Sequence, residues 1–413
     1  MVSQTQHIDT IVIGGGQSGL AMSYLLTRQG KDHIVLEKAN RIGESWRNRW
    51  DSFTLVTPNW QLQLPGYPYD GDDPDGFLSR EEVVAYLEGY AASFNPPVEF
   101  GCKVTAVEKN QSGEGYRVYT DEETYTCANV VVAAGTFQKP RIPECSSNAE
   151  NEFTQIHSSE YRNPDSLPDG GVLVVGSGQS GTQIARELHE SGREVCLSVS
   201  NVGRLPRRYR GKDGMWWGVQ IGMTDQTVDD LDSREERFAP NPQISGKDGG
   251  QEINLHEFAR DGIRLAGYLE DIDGRRAGFA QNLHENLAAA DQMAAQFRKG
   301  VDKYIRETGM DLPEETVNEP QDGFQQEEIP ELDLRKVGIT TVLWATGYRW
   351  DYSWIDLPVF DEYGYPVQKR GVTGYPGLYF LGLHWLHKLK SGLFLGVGED
   401  AEHVAGHLAN RRE

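Results

Sequence analysis

Cysteine is scarce in this chain of 413 residues, and the four present, Cys102, Cys127, Cys145 and Cys196, stand far apart with no C-x-x-C or C-x-x-x-x-C spacing. That pattern excludes a dithiol redox pair of local spacing, and scattered thiols of this kind read as small buried hydrophobes in a reducing compartment. Positive charge is also in deficit. With 40 basic against 62 acidic side chains the formal charge is −22, a field that repels nucleic acid and anionic lipid. Long apolar runs are missing too: residues 130–134 and 172–175 are only strand-length, so no transmembrane segment is expected. Thr5, Gln6 and His7 lead almost directly into a β-type run, without room for a signal peptide, which makes a cytoplasmic protein the expectation. No H-E-x-x-H and no clustered Cys/His set occurs, so no metal site is proposed.

What is present suffices for two or three domains with proper cores, since 38% of residues are hydrophobic and 25% charged, an ordinary globular balance. An internal repeat organises them. Shifting the sequence by 162 positions aligns Gly14, Gly16, Gln17, Ser18, Gly19 and Gly30 with Gly176, Gly178, Gln179, Ser180, Gly181 and Gly192. Each copy reads as a short strand, G-x-G-x-x-G, an amphipathic helix ended by glycine, and a second strand. The first glycine permits a tight turn, the second lets a pyrophosphate approach the backbone, and the third lets helix and strand pack closely. The anion then rests at the helix N-terminus, where free N–H groups and the macrodipole favour it. The context of strand before and helix after, found twice, makes both copies dinucleotide cradles.

The copies differ where the ribose is read. Glu37, 23 residues after the first glycine, closes the second strand of the first copy and is placed to accept ribose hydroxyls, with Lys38 beside it. The second copy has Val199 and Ser200 there, followed by Arg204, Arg207, Arg208 and Arg210, which would suit a 2′-phosphate and hence NADPH over NADH. The alternative is that these arginines form a solvated loop.

Residues 130–135 and 341–348 are similar apolar strands ending in small residues, and the second repeat lies between them. The expected class is therefore α/β, two Rossmann-like dinucleotide-binding domains, the second inserted in the first: residues 1–165, 166–335 and 336–413. Leu283, Leu287, Ala290, Ala294, Phe297, Val301 and Tyr304 predict a long amphipathic helix ending before Gly309, and residues 313–330, acidic and carrying Pro313, Pro320 and Pro330, read as a surface connection.

The two fingerprints, the strand ending Ala345-Thr346-Gly347-Tyr348 and the stretch Gly43-Glu44-Ser45-Trp46-Arg47 together resemble the class B flavoprotein monooxygenases, in particular flavin-containing monooxygenases and their small bacterial relatives. The resemblance runs from Thr10 to about Ala401. It implies FAD along the first domain, held by Gly14, Gly16, Gln17, Ser18, Gly19, Glu37 and Lys38 with Gly43, Trp46 and Arg47 beside it. NADPH would be held by Gly176, Gly178, Gln179, Ser180, Gly181, Ser200 and the arginines. It further implies a C4a-peroxyflavin that oxygenates a small soft nucleophile or ketone. Thr346, the run from Gly377 to Gly382 and a helix beginning near Gly396 and carrying Asp400 would complete the flavin site.

Departures from the family pattern qualify the catalytic residues. His157 and Tyr161 keep the spacing of the family's F-x-G-x-x-x-H segment, but Phe153 is two residues too close and the glycine is missing, so a structural role is the first choice for His157. Asn59 follows Leu55-Val56-Thr57-Pro58 and is a candidate amide donor beside the flavin. His384 and Lys388, close in sequence to the expected flavin segment, are candidate catalytic groups, while Trp216 and Trp217 read as core before cavity lining. The partners expected are a small-molecule substrate, dioxygen and a second copy of the chain as a homodimer. Two other readings remain open: an NAD(P)H oxidase or reductase without oxygen insertion, and a redox nucleotide sensor without turnover.

Overall fold

The computed structural model describes residues 5–110 and 113–411. Both repeats form as read. The first is β1 (Thr10–Ile13), α1 (Gln17–Arg28) and β2 (His33–Glu37), joined by β3 (Asn129–Val132), which runs parallel to β1. The sheet is seven-stranded in the order Gln368–Lys369, Val372–Thr373, Leu378–Phe380, β3, β1, β2, Val98–Phe100. β1 and β3 are buried along their whole length, which is why they read as unbroken apolar runs.

The second unit contains β4 (Gly171–Val175), α2 (Gln179–Glu190), β5 (Val195–Ser198) and β6 (Ile339–Trp344) in a five-stranded sheet ordered Thr154–His157, β6, β4, β5, Arg264–Ala266. Successive side chains serve opposite cores, as strand geometry requires. Val172, Val174, Leu197 and Leu343 pack with Ile184 and Leu188 of α2, whereas Leu173, Val175, Cys196, Val342 and Trp344 pack with Leu269 and Phe279 on the other face.

The domain limits move accordingly. β6 pairs with both β4 and Thr154–His157, so residues 154–157 and 339–344 belong to the second sheet, although the divisions at 165 and 335 put both segments in the first domain. A strand ending in small residues looks the same whichever sheet it joins; only pairing decides. The two crossings meet in a short antiparallel ribbon of Lys139–Pro140 with Tyr348–Arg349.

The long helix α3 (Leu283–Thr308) ends at Gly309, whose φ of +68° suits a residue without Cβ. Trp217 is fully buried beneath it with Phe297 and Val301, its indole donating to Tyr209 O at 2.7 Å, so it is core and not cavity wall. The C-terminal α4 (Val397–Asn410) packs on α1. Just past its end Arg411 donates to Asn129 Oδ1 at the start of β3 (2.6 Å), fastening that end of the helix to the first sheet. A four-stranded sheet of residues 5–7, 124–127, 116–120 and 104–109 was not legible beforehand. No helix among the described residues is long and apolar enough to cross a membrane.

Candidate active site

The two glycine turns have the same geometry. Gly14 has φ +108° and a Cβ there would lie 2.6 Å from Ala133 O; Gly176 has φ +105° and the same distance to Ala345 O. Gly16 and Gly178, the N-caps of α1 and α2, have nothing within 4 Å of a Cβ and no side-chain cap. Each helix therefore presents uncapped backbone N–H groups to an open space, which fits a pyrophosphate. Gln179 and Ser180 form the first turn of α2, and Gln179 Nε2 donates to Pro242 O at 3.1 Å across its mouth.

Glu37 stands where predicted, at the end of β2, its carboxylate accepting from Gly15 N at 2.6 Å and Ala39 N at 2.8 Å. Lys38 is exposed beside it. In the second unit the equivalent place holds buried Val199 and half-buried Ser200, whose N–H donates to Ser177 Oγ at 3.0 Å. Gly382 brings the C-terminal strand onto α1, since a Cβ on it would lie 1.9 Å from Ser18 Oγ, and Gln17 Nε2 donates to Gly392 O at 2.9 Å. The start of α4 and the start of α1 thus converge with Trp46, which sits on the helix Glu44–Arg47 after Gly43 (φ +77°). Trp46 packs against the cores of both units and stacks on Phe394 at 5.7 Å.

Several expected residues are committed elsewhere. Arg204 is 2% exposed and paired with Asp291 (3.0 Å), Glu319 (2.5 Å) and Glu252 (3.3 Å). Arg207 is equally buried, bound to Asp213 and to Val56 O and Ser245 O, and Arg210 is paired with Asp302. Neither Arg204 nor Arg207 is free for a 2′-phosphate, nor do they form a solvated loop; Arg208 alone of the segment is exposed, with one bond to Gly249 O at 2.9 Å. Arg47 pairs with Glu88. Thr346 closes the crossing by donating to Arg141 O.

The catalytic candidates change roles as well. Asn59 uses both ends of its amide on backbone, donating one N–H to Asp73 O (2.8 Å) and accepting from Leu78 N (2.9 Å), so it staples the 73–78 loop and keeps one N–H that no protein group accepts among the described residues. Lys388 pairs with Asp225 at 2.7 Å and Glu399 at 3.0 Å; with Lys390 on the same carboxylates it forms a tie between the units. The hydrogen bonds to those carboxylates, Asp225 first, push its pKa up, which favours the charged ammonium. His384 is held neutral, burial lowering its pKa to about 4. His157 is fully buried, with Nε2 donating to Gly347 O (3.0 Å) and Nδ1 facing Ser159 Oγ (2.9 Å), a crossing fastener as first read.

Three side chains near the converging elements carry a buried polar atom with no hydrogen-bond partner among the described residues. Gln61 is 1% exposed with neither amide atom bonded, and it precedes the Gln63–Leu64 strand that packs against α4. Asp400, in the first turn of α4, has an unbonded Oδ2, and burial pushes its pKa up against the Ser391 hydrogen bond and the Arg370 charge. Arg49 lies between Phe53 and Phe137 without an ion pair or hydrogen bond to its side chain among the described residues. Leaving such a group unsatisfied costs about 1–3 kcal/mol or more, so a polar ligand fits here. Sequence missed Gln61 and Arg49 because nothing local marks a polar side chain as partnerless.

Comparison with known proteins agrees with this architecture. Residues 11–210 match the family model described as pyridine nucleotide-disulphide oxidoreductase. An oxidoreductase designated CzcO-like from Geobacillus kaustophilus is 35% identical over 98% of this chain and 99% of its own length. A probable indole-3-pyruvate monooxygenase, YUCCA3 of Arabidopsis thaliana, is 27% identical over 97% and 86%. Among solved structures, a flavin-containing monooxygenase from Stenotrophomonas maltophilia superposes with a TM-score of 0.67 at 20% identity, over 98% of this chain and 99% of that one. OTEMO, solved in complex with FAD and NADP, gives 0.57 at 18% over 98% and 86%. The chain is an enzyme that belongs to the CzcO family of oxidoreductases and has the two-unit fold of the class B flavoprotein monooxygenases.

Proposed function

We propose that this oxidoreductase is an FAD- and NADPH-dependent monooxygenase that inserts one atom of dioxygen into a small soft nucleophile or ketone. The observation that carries the reading is the pair of matched cradles whose cores are bridged by Trp46. FAD, when bound, supplies the electron transfer from NADPH to dioxygen. The chain supplies the rest: α1 and α2 hold the two pyrophosphates on backbone N–H groups, and Glu37 takes the adenosine ribose of FAD. The N-terminus of α4 favours negative charge at the flavin end it faces, and the unbonded amide of Gln61 offers a donor and an acceptor there.

The cysteines argue against the dithiol chemistry after which the matched family model is named. All four are free, burial raises the pKa of each, and Cys127 and Cys196 are pushed up to about 12, far from a thiolate at neutral pH. The test is to reduce the flavin with NADPH anaerobically, admit isotopically labelled dioxygen with a sulfide or ketone panel, and look for label in product. Label in an oxygenated product supports the proposal. Stoichiometric peroxide without product converts the reading to an oxidase.

A further inference from the structure

Arg49 lies three residues beyond Trp46, where the two units meet. Its guanidinium carbon is 4.9 Å from the ring centre of Phe137 and 5.8 Å from that of Phe53. Phe137 in turn packs on Tyr348 at 5.2 Å, and Tyr348 on His157 at 5.0 Å, so first-unit and crossing residues form one aromatic wall. Phe137 is 63% exposed, which leaves that side of the wall open to an incoming molecule.

Within this wall Arg49 has no carboxylate partner among the described residues. Its Nε is sealed from solvent and unbonded, and no ion pair to it occurs among the described residues. The adjacent Arg80 does have partners, Asp51 and Glu81, and Arg47 has Glu88. Burial pushes the Arg49 pKa down, opposed by the Tyr348 phenol, yet an arginine stays charged. A half-buried cation whose Nε is sealed and which is held only by ring faces is an unfinished site.

We propose that Arg49 anchors a carboxylate of the substrate, so that the enzyme takes small aromatic or apolar monocarboxylates carrying the oxidisable group. One planar guanidinium matches one carboxylate, edge to edge, and the flanking rings suit an aromatic or apolar body. The coenzyme phosphates have their own backbone cradles and need no single cation between phenyl rings. The proposal rests on the monooxygenase reading above for the fate of the ligand, though not for its binding.

The probes are para-(methylthio)benzoate and thioanisole, alike except for the carboxylate. Each is titrated into the oxidised FAD-loaded enzyme, following tryptophan fluorescence, and each is then tested as a substrate with NADPH. The wild type is expected to bind the carboxylate about tenfold or more tightly than thioanisole, with the same preference in KM. Arg49→Gln should bring the ratio near one, and Arg49→Lys, which keeps the charge and guards against a folding defect, should retain part of it. An unchanged ratio in Arg49→Gln, equal weakening of both probes, a loss confined to NADPH affinity, or no carboxylate preference in the wild type overturns the proposal. Arg49-dependent binding without an oxygenated product upholds the anion site and refutes the monooxygenase reading alone.

Discussion

A methyl group on Gly181 would lie 1.8 Å from the carbonyl oxygen of Gly176, the same distance that separates a methyl on Gly19 from Gly14 O. In both units the helix is pressed onto its own glycine turn, leaving no room for any side chain at the third glycine. Gly181→Ala should therefore destabilise the protein by about 1–3 kcal/mol, seen as a lowered Tm, because backbone has to move. Gly178→Ala meets nothing within 4 Å and should keep its Tm. Its methyl projects where the pyrophosphate approaches, so NADPH affinity should fall by about tenfold, measured by anaerobic flavin reduction.

Arg204 holds three carboxylates drawn from distant parts of the second unit. Removing it in Arg204→Ala leaves them facing one another and should cost about 3–5 kcal/mol in denaturant unfolding. The ratio of NADPH to NADH utilisation should not move. A large shift in that ratio with little loss of stability would restore the 2′-phosphate role.

His384 gives a pH dependence of known sign. Its folded pKa, about 4, lies below the ordinary histidine value, so between those values the unfolded chain binds a proton that the folded protein does not. Stability should be full above neutral pH and decline as pH falls from 7 towards 4. His33 and His157 are shifted in the same direction by burial and add to the slope. His384→Gln should flatten part of it, by an amount on the order of 1–3 kcal/mol at pH 4.5, read from Tm against pH.

Lys388, partly exposed in its tie to Asp225 and Glu399, shares both carboxylates with Lys390. Lys388→Met should lower stability by no more than about 1 kcal/mol, less still in high salt, and kcat should survive. A collapse of kcat at unchanged stability would return Lys388 to the reaction.

What could be read in the chain itself was what the backbone demands locally. A turn that tolerates only glycine, a strand buried on both faces and a helix stripe on α3 each leave a mark within a few neighbouring residues, so the two cradles, Glu37 and the helix ending at Gly309 were legible. The partners of side chains were not. Whether Arg204 meets a phosphate or Glu319, and whether Asn59 faces a flavin or Asp73 and Leu78, depends on residues brought together from 14 to 115 positions away. The same holds for β6, whose sequence fits either sheet, and for Arg49, a cation that looks ordinary until folding gives it aromatic walls and, among the described residues, no counter-charge. Charge pairing and burial act through space, and only the tertiary structure sets those distances.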